Sequence, residues 1–326
     1  MSPPNSTPSA RSIRAPGWRR RSEVILGTIL AGLVPSFLLV GLGGLVRRRL
    51  SDNAWLGLDR LNFEILFPAL LFNAAASRPL DPALVAVIGP AVWSILTLGL
   101  VAGYAARRFG PTRFLDFAGG WQTAWRFNTA MGFVAASTLS GPDAAMMAVV
   151  AGMAVPVANV FAVGALSRGG NLGALATARR IALNPFLLAS LGGVFVGLTG
   201  LRPPALVMAP VAMLAQAAIP VALVSIGATM DWRALARLNA FSAILCGVKL
   251  MLLPAVTLTL CLVLRADPAL AAMLVAFAAL PPATASHVLA AGFGADRVLT
   301  ATVVAQGTLL AALTLPLWLW LAEAVF

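Results

Sequence analysis

Two interrupted stretches and four ionisable side chains stand out in a chain that is otherwise apolar. Arg126-Phe127-Asn128-Thr129-Ala130-Met131-Gly132 sets a cation, an amide and a glycine into one apolar run. Leu280-Pro281-Pro282-Ala283-Thr284-Ala285-Ser286-His287 sets two prolines, two hydroxyls and the chain's one histidine into another. A proline inside a helix removes a donor and frees a carbonyl. In lipid such groups need a partner, so helices broken in this way line cavities or protein contacts. Half-helix N-termini at a break offer free N–H groups and a partial positive charge to an anion. The chemistry expected is non-covalent anion recognition at Arg126, Asn128, Thr129, Pro281, Pro282, Thr284 and Ser286. Asn128 and Thr284 can also offer oxygens to a cation.

Ionisable residues within membrane spans are rare and by default functional. The guanidinium fork of Arg126 suits a carboxylate; the plainer readings are a helix-end anchor or a partner for Glu64. Lys249, the only lysine, can neutralise an anion or occupy a cation site, or it can snorkel. Glu64 lies one turn before Pro68 and can carry a coupled proton, or it can sit at the interface beside Arg60. His287 can relay protons near neutral pH, or simply pack against backbone. With no partner Cys or His ligands, no metal site is expected, and no cofactor beyond a coupling H+ or Na+. Gln216, Gln306 and Thr308 read as glue between helices.

These residues need helices to position them. Of 326 residues, 60% are hydrophobic and 10% charged, against about 25% charged in a soluble domain. Mean hydropathy is +0.91. A span needs about 20 apolar residues, and ten such stretches are predicted: 24–46, 57–76, 83–105, 116–138, 144–166, 182–199, 206–229, 240–264, 268–291 and 299–323. The fold class is therefore an all-α polytopic membrane protein. Cys246 and Cys261 fall in one predicted helix, about 22 Å apart at 1.5 Å per residue, too far to pair. The net charge of +12 comes from arginines grouped at the ends of apolar stretches. They read as topological anchors rather than a nucleic-acid surface. The partners expected are the lipid bilayer and a small organic anion, with a homodimer as a further option.

The string FLLxxLGG recurs at 37–44 and 186–193. Pro68 and Pro220, Pro90 and Pro254, and Pro156 and Pro316 recur in the same order. This predicts two repeats, 23–166 and 182–326, joined by a loop at 167–181 and preceded by a disordered tail at 1–22. Five helices is an odd number, so the second repeat enters the membrane from the opposite side, giving an inverted repeat. Arginines concentrate in alternate loops, which are predicted to be cytoplasmic, with both termini outside a bacterial inner membrane.

Several short motifs taken together are similar to the auxin efflux carrier family, which includes bacterial malonate-type permeases. They are Leu50-Ser51-Asp52, Leu66-Phe67-Pro68-Ala69-Leu70-Leu71-Phe72, Arg126-Phe127-Asn128-Thr129, Asn184-Pro185, Gln216-Ala217-Ala218-Ile219-Pro220 with Gly227, Lys249 through Pro254, and Leu280-Pro281 through Leu289-Ala290. The resemblance covers nearly everything after the tail. It implies two inverted five-helix repeats, crossing broken helices 4 and 9, and transport of carboxylates. Glu64 stands where the family leads one to expect an aromatic or apolar residue, and His287 where tyrosine is expected. An enzyme would need a nucleophile–base pair or a metal cluster, and neither is visible. A channel would show rings of charge. The closest rival is a carrier resembling the bile acid:sodium symporters.

Overall fold

A computed structural model describes residues 27, 34–76, 79, 81–141, 144–168, 179, 182–183 and 185–326. The expected tail at 1–22, the first part of the first helix, Arg78, Asn184 and most of the loop at 167–181 lie outside the described residues. Among the described residues every regular element is helical. The helices are α1 (34–46), α2 (Asp52–Leu61), α3 (Phe67–Ala76), α4 (Pro82–Gly103), α5 (Phe114–Trp121), α6 (Thr129–Ala136) and α7 (Ala144–Ser167). They continue with α8 (Pro185–Thr199), α9 (Ala205–Thr229), α10 (Ala240–Gly247), α11 (Leu253–Val263), α12 (Pro268–Ala279), α13 (Ser286–Gly292) and α14 (Arg297–Val325). Among the described residues, five helical stretches are long and apolar enough to cross a bilayer: Val85–Phe109, Ala144–Ser167, Ala205–Thr229, Ala240–Val263 and Arg297–Val325.

The few polar residues are spent largely on helix ends. The first amides of a helix have no partner within it, and small polar side chains accept from them. Ser51 Oγ accepts from Ala54 N, Asp81 from Ala83 N, Asp267 from Leu270 N and Asp296 from Leu299 N, at 2.9–3.3 Å. Pro82 and Pro268 follow their caps at the first helical position, where a missing N–H costs nothing. Asn239 and Ser242 cap α10 reciprocally.

Proline acts in two ways. Pro90, Pro156, Pro210, Pro220 and Pro316 lie inside continuous helices. Pro68 and Pro254 instead follow wide π turns, Asn62–Leu66 and Val248–Leu252. The ring of a proline clashes with the carbonyl four residues back, and a wider turn relieves that clash. These turns do not track the repeat, because Pro220 and Pro90, matched to Pro68 and Pro254 in sequence, sit in unbroken helix.

The helices meet through small residues. A Cβ on Gly227 of α9 would fall on the carbonyl oxygen of Val40, and one on Gly43 of α1 on the carbonyl of Val224. The two backbones therefore touch, as small residues allow in membrane helices. Gly227→Ala is expected to destabilise the protein by about 1–3 kcal/mol through overpacking, a fall of a few degrees in thermal midpoint in detergent. Adding Gly43→Ala should cost less than the sum of the two, because either methyl alone forces the same two backbones apart.

Candidate functional site

Both sequence breaks are breaks in the fold. α5 runs through a tight turn at Gln122–Ala124, residues 125–128 leave the helix, and α6 begins at Thr129. α12 stops at Ala279, residues 280–285 are irregular, and α13 begins at Ser286. The two breaks touch. The Asn128 amide donates to the Pro281 carbonyl at 2.9 Å. The rings of Phe127 and Phe277 meet edge to face at 4.7 Å. Gln122 Nε2 donates to the Ser286 and Gly119 carbonyls, each at 3.1 Å. Every residue of α6, and all of α12 from Leu270 onward, is buried. The meeting point of the two breaks is thus buried, and the Pro281 and Ser286 carbonyls find partners there, as lipid demands.

Arg126 sits in the first break with 9% of its surface exposed. Nη1 donates to Gln122 Oε1 at 3.0 Å and Nη2 to Asn159 Oδ1 at 3.4 Å. Both acceptors are neutral amides, and no carboxylate within ion-pairing distance is recorded for it among the described residues. Its charge is therefore held in place without being compensated. Two residues on, Asn128 Oδ1 caps α6 by accepting from Met131 N at 3.2 Å. Asn128 Nδ2 is buried with no hydrogen-bond partner among the described residues. A buried polar atom without a partner costs about 1–3 kcal/mol and marks a place where something polar can bind.

These groups face a cavity of about 600 Å³, a size that holds small ligands. Its walls are largely apolar, including Phe63, Phe67, Phe127, Val155 and Ile226. Arg126, Asn128, Thr129 and Asn159 line it, together with Thr284 of the second break and His287 of α13. A smaller space of about 130 Å³ shares Asp59, Thr284 and His287 with it and reaches Arg297, the first residue of α14.

The cavity brings Arg126, Asn128, Thr129, Thr284, Glu64 and His287 together. Glu64 lies at its rim, half exposed, and pairs with Arg60 at 2.7 Å rather than with Arg126. Pro281, Pro282 and Ser286 are buried but do not line the cavity. Pro281 supplies the carbonyl that accepts from the Asn128 amide. The ring of Pro282 lies where a Cβ on Gly307 of α14 would go. Lys249, 1% exposed, stands in the second π turn outside the cavity wall. Its Nζ donates to the Ala278 carbonyl at 3.2 Å, at the end of α12, and lies 6.0 Å from the Phe277 ring centre.

Sequence reasoning passed over four polar residues. Asn159 and Gln122 hold Arg126. Asn62 Nδ2 donates to the Ala218 carbonyl at 3.2 Å, leaving Oδ1 buried and without a partner among the described residues. Asp59 accepts a hydrogen bond from Ser225 Oγ. Asn159 carried a readable signal: it is the one amide in a 24-residue apolar helix, where polar groups bridge helices or bind ligands.

Residues 173–319 match the family described as membrane transport protein. Over 323 residues, covering 90% of this chain and 96% of the relative, the sequence is 29% identical to a protein of Rhizobium meliloti (strain 1021) named "Putative malonate transporter". Both findings agree with the resemblance drawn from the motifs.

Proposed function

We propose that this integral membrane protein, whose residues 173–319 match the membrane transport protein family, is an alternating-access carrier of small organic carboxylates. In this reading ten spanning helices form two inverted five-helix repeats. The broken helices cross near the bilayer midplane, where such repeats place substrate sites. The arginine-rich loops face the cytoplasm of a bacterial inner membrane, and a proton or sodium gradient drives the cycle.

One observation carries the proposal: an uncompensated, buried guanidinium stands beside an unpartnered amide donor in an apolar cavity at the crossing. Arg126 and Asn128 Nδ2 supply donors only, which favours an acceptor-only ligand such as a carboxylate. The positive end of α6, opening at Thr129, adds to the attraction. The apolar walls suit a short carbon skeleton and raise the strength of each polar contact by excluding water. The relative named for malonate supports the choice of a small dicarboxylate as the first probe.

The test is thermal unfolding of the detergent-purified protein with malonate, other mono- and dicarboxylates, and neutral or cationic analogues. A ligand at 100 times its Kd stabilises by about 2.7 kcal/mol. Acids should raise the midpoint, saturably, and amides or amines of the same shape should not. Stabilisation by amines alone would overturn the anion assignment.

A further inference from the structure

We propose that Asp59 is the proton-binding group that couples anion movement to a pH gradient, an inference that rests on the carrier reading above. Asp59 lies on α2, one residue before the Arg60–Glu64 ion pair, and lines both the main cavity and the smaller space that reaches Arg297. Its carboxylate accepts from the hydroxyl of Ser225 on α9, a side chain only 1% exposed. A serine hydroxyl can donate to a carboxylate and accept from a carboxylic acid. The pair therefore stays hydrogen-bonded whether or not Asp59 holds a proton, as a group that loads and unloads protons within the membrane requires.

The charges around Asp59 explain why it, rather than its neighbours, is assigned this role. On its own helix, Arg60 and Glu64 neutralise each other at 2.7 Å. Arg47 to Arg49 flank the start of α2, where the Arg47 carbonyl accepts from Trp55 Nε1. α9 presents hydroxyls, Ser225 and Thr229, and no charge. Across the cavities stand Arg126 of the first break, His287 of α13 and Arg297 of α14. No cation within ion-pairing distance of Asp59 is recorded among the described residues.

In the empty cavity, then, Arg126 is a fixed positive charge without an ion-pair partner among the described residues, and Asp59 is a carboxylate without a paired cation among them. A bound carboxylate group pairs with Arg126 and adds its negative charge to that of Asp59 in the same cavity. One proton, delivered from the outside solution through cavity water onto the Asp59 carboxylate oxygen, offsets that added charge, so the anion and the proton enter together. Release of the anion on the other side removes the added charge, and the proton leaves to the solution there.

The experiment uses the full-length protein in liposomes, with the membrane potential clamped at zero, and radiolabelled malonate as the probe. Two assays are read side by side. Exchange without any ion gradient reports the carrier itself, and accumulation under a pH gradient of one unit, acid outside, reports coupling. One coupled proton supports about tenfold accumulation at one pH unit. Wild-type protein is expected to reach that ratio, and to ignore a sodium gradient. Asp59→Asn, which keeps the shape and the bond to Ser225, is expected to exchange malonate yet accumulate none. Ser225→Ala, which keeps the carboxylate, should still accumulate malonate, with a displaced pH profile. Accumulation by Asp59→Asn equal to wild type, or wild-type accumulation that follows sodium instead of pH, overturns the assignment while leaving the carrier intact. Absence of exchange by folded wild-type protein overturns the carrier reading, and this inference with it.

Discussion

Arg126→Gln is expected to weaken carboxylate binding and uptake about 10- to 100-fold while leaving the protein folded. A hydrogen bond to a charged partner contributes about 1.5–3 kcal/mol, and about 1.4 kcal/mol is a factor of ten. Glutamine retains much of the length and the ability to bond Gln122 and Asn159, so the break keeps its shape. The sign of the stability change separates binding from scaffolding. A buried cation held only by neutral acceptors is costly in the empty protein. Removing its charge should therefore leave the ligand-free thermal midpoint unchanged or higher, while the stabilisation given by malonate disappears. Arg126→Lys, which keeps the charge without the planar fork, should fall between the two. A lower ligand-free midpoint together with full malonate stabilisation would assign Arg126 to structure alone.

Asn128→Asp should fold as well as the wild type and bind carboxylates at least about tenfold more weakly. Aspartate caps a helix as well as asparagine does, so the bond to Met131 N survives. What changes is the other face of the side chain. The Nδ2 donor is replaced by a negative charge two residues from Arg126, supplying from within the protein the charge the substrate brings. Binding isotherms for malonate by the variant should show that loss without a loss of thermal stability. Asn128→Ala is the less informative change, because it also removes the cap, worth about 1 kcal/mol. Equal affinity in Asn128→Asp and wild type would exclude the free amide from recognition.

The breaks were legible because they violate a local rule. Pro281-Pro282 in one apolar run, and Arg126 with Asn128 in another, contradict a continuous lipid-facing helix. Helix starts were legible where Ser51 precedes an apolar stretch, since capping is a short-range signal. Azimuth was not legible. A helix that is apolar on every side has no polar stripe to show which face is inside, so depth in the membrane could be read but not direction. That is why Lys249 reads from the sequence as a site residue, whereas the fold sets it outside the cavity wall against the Ala278 carbonyl. Asp59 was missed for a different reason. It lies two residues into the predicted second span and next to Arg60, where charges normally mark the interface. Only the packing of α9, which brings Ser225 against it, shows that it faces inward. Glu64 is the converse. Its spacing of four residues from Arg60 allows a helix-surface pair, and that pair forms.

The most direct test is malonate counterflow. Liposomes containing the purified protein are loaded with unlabelled malonate and diluted into a trace of radiolabelled malonate with no ion gradient. A carrier whose single site opens alternately to each side predicts saturable entry of label that overshoots equilibrium and then decays. The overshoot should be competed by other small carboxylates and suppressed in Arg126→Gln. Entry that rises linearly with concentration, shows no overshoot and matches protein-free liposomes would contradict a carboxylate carrier built on this crossing.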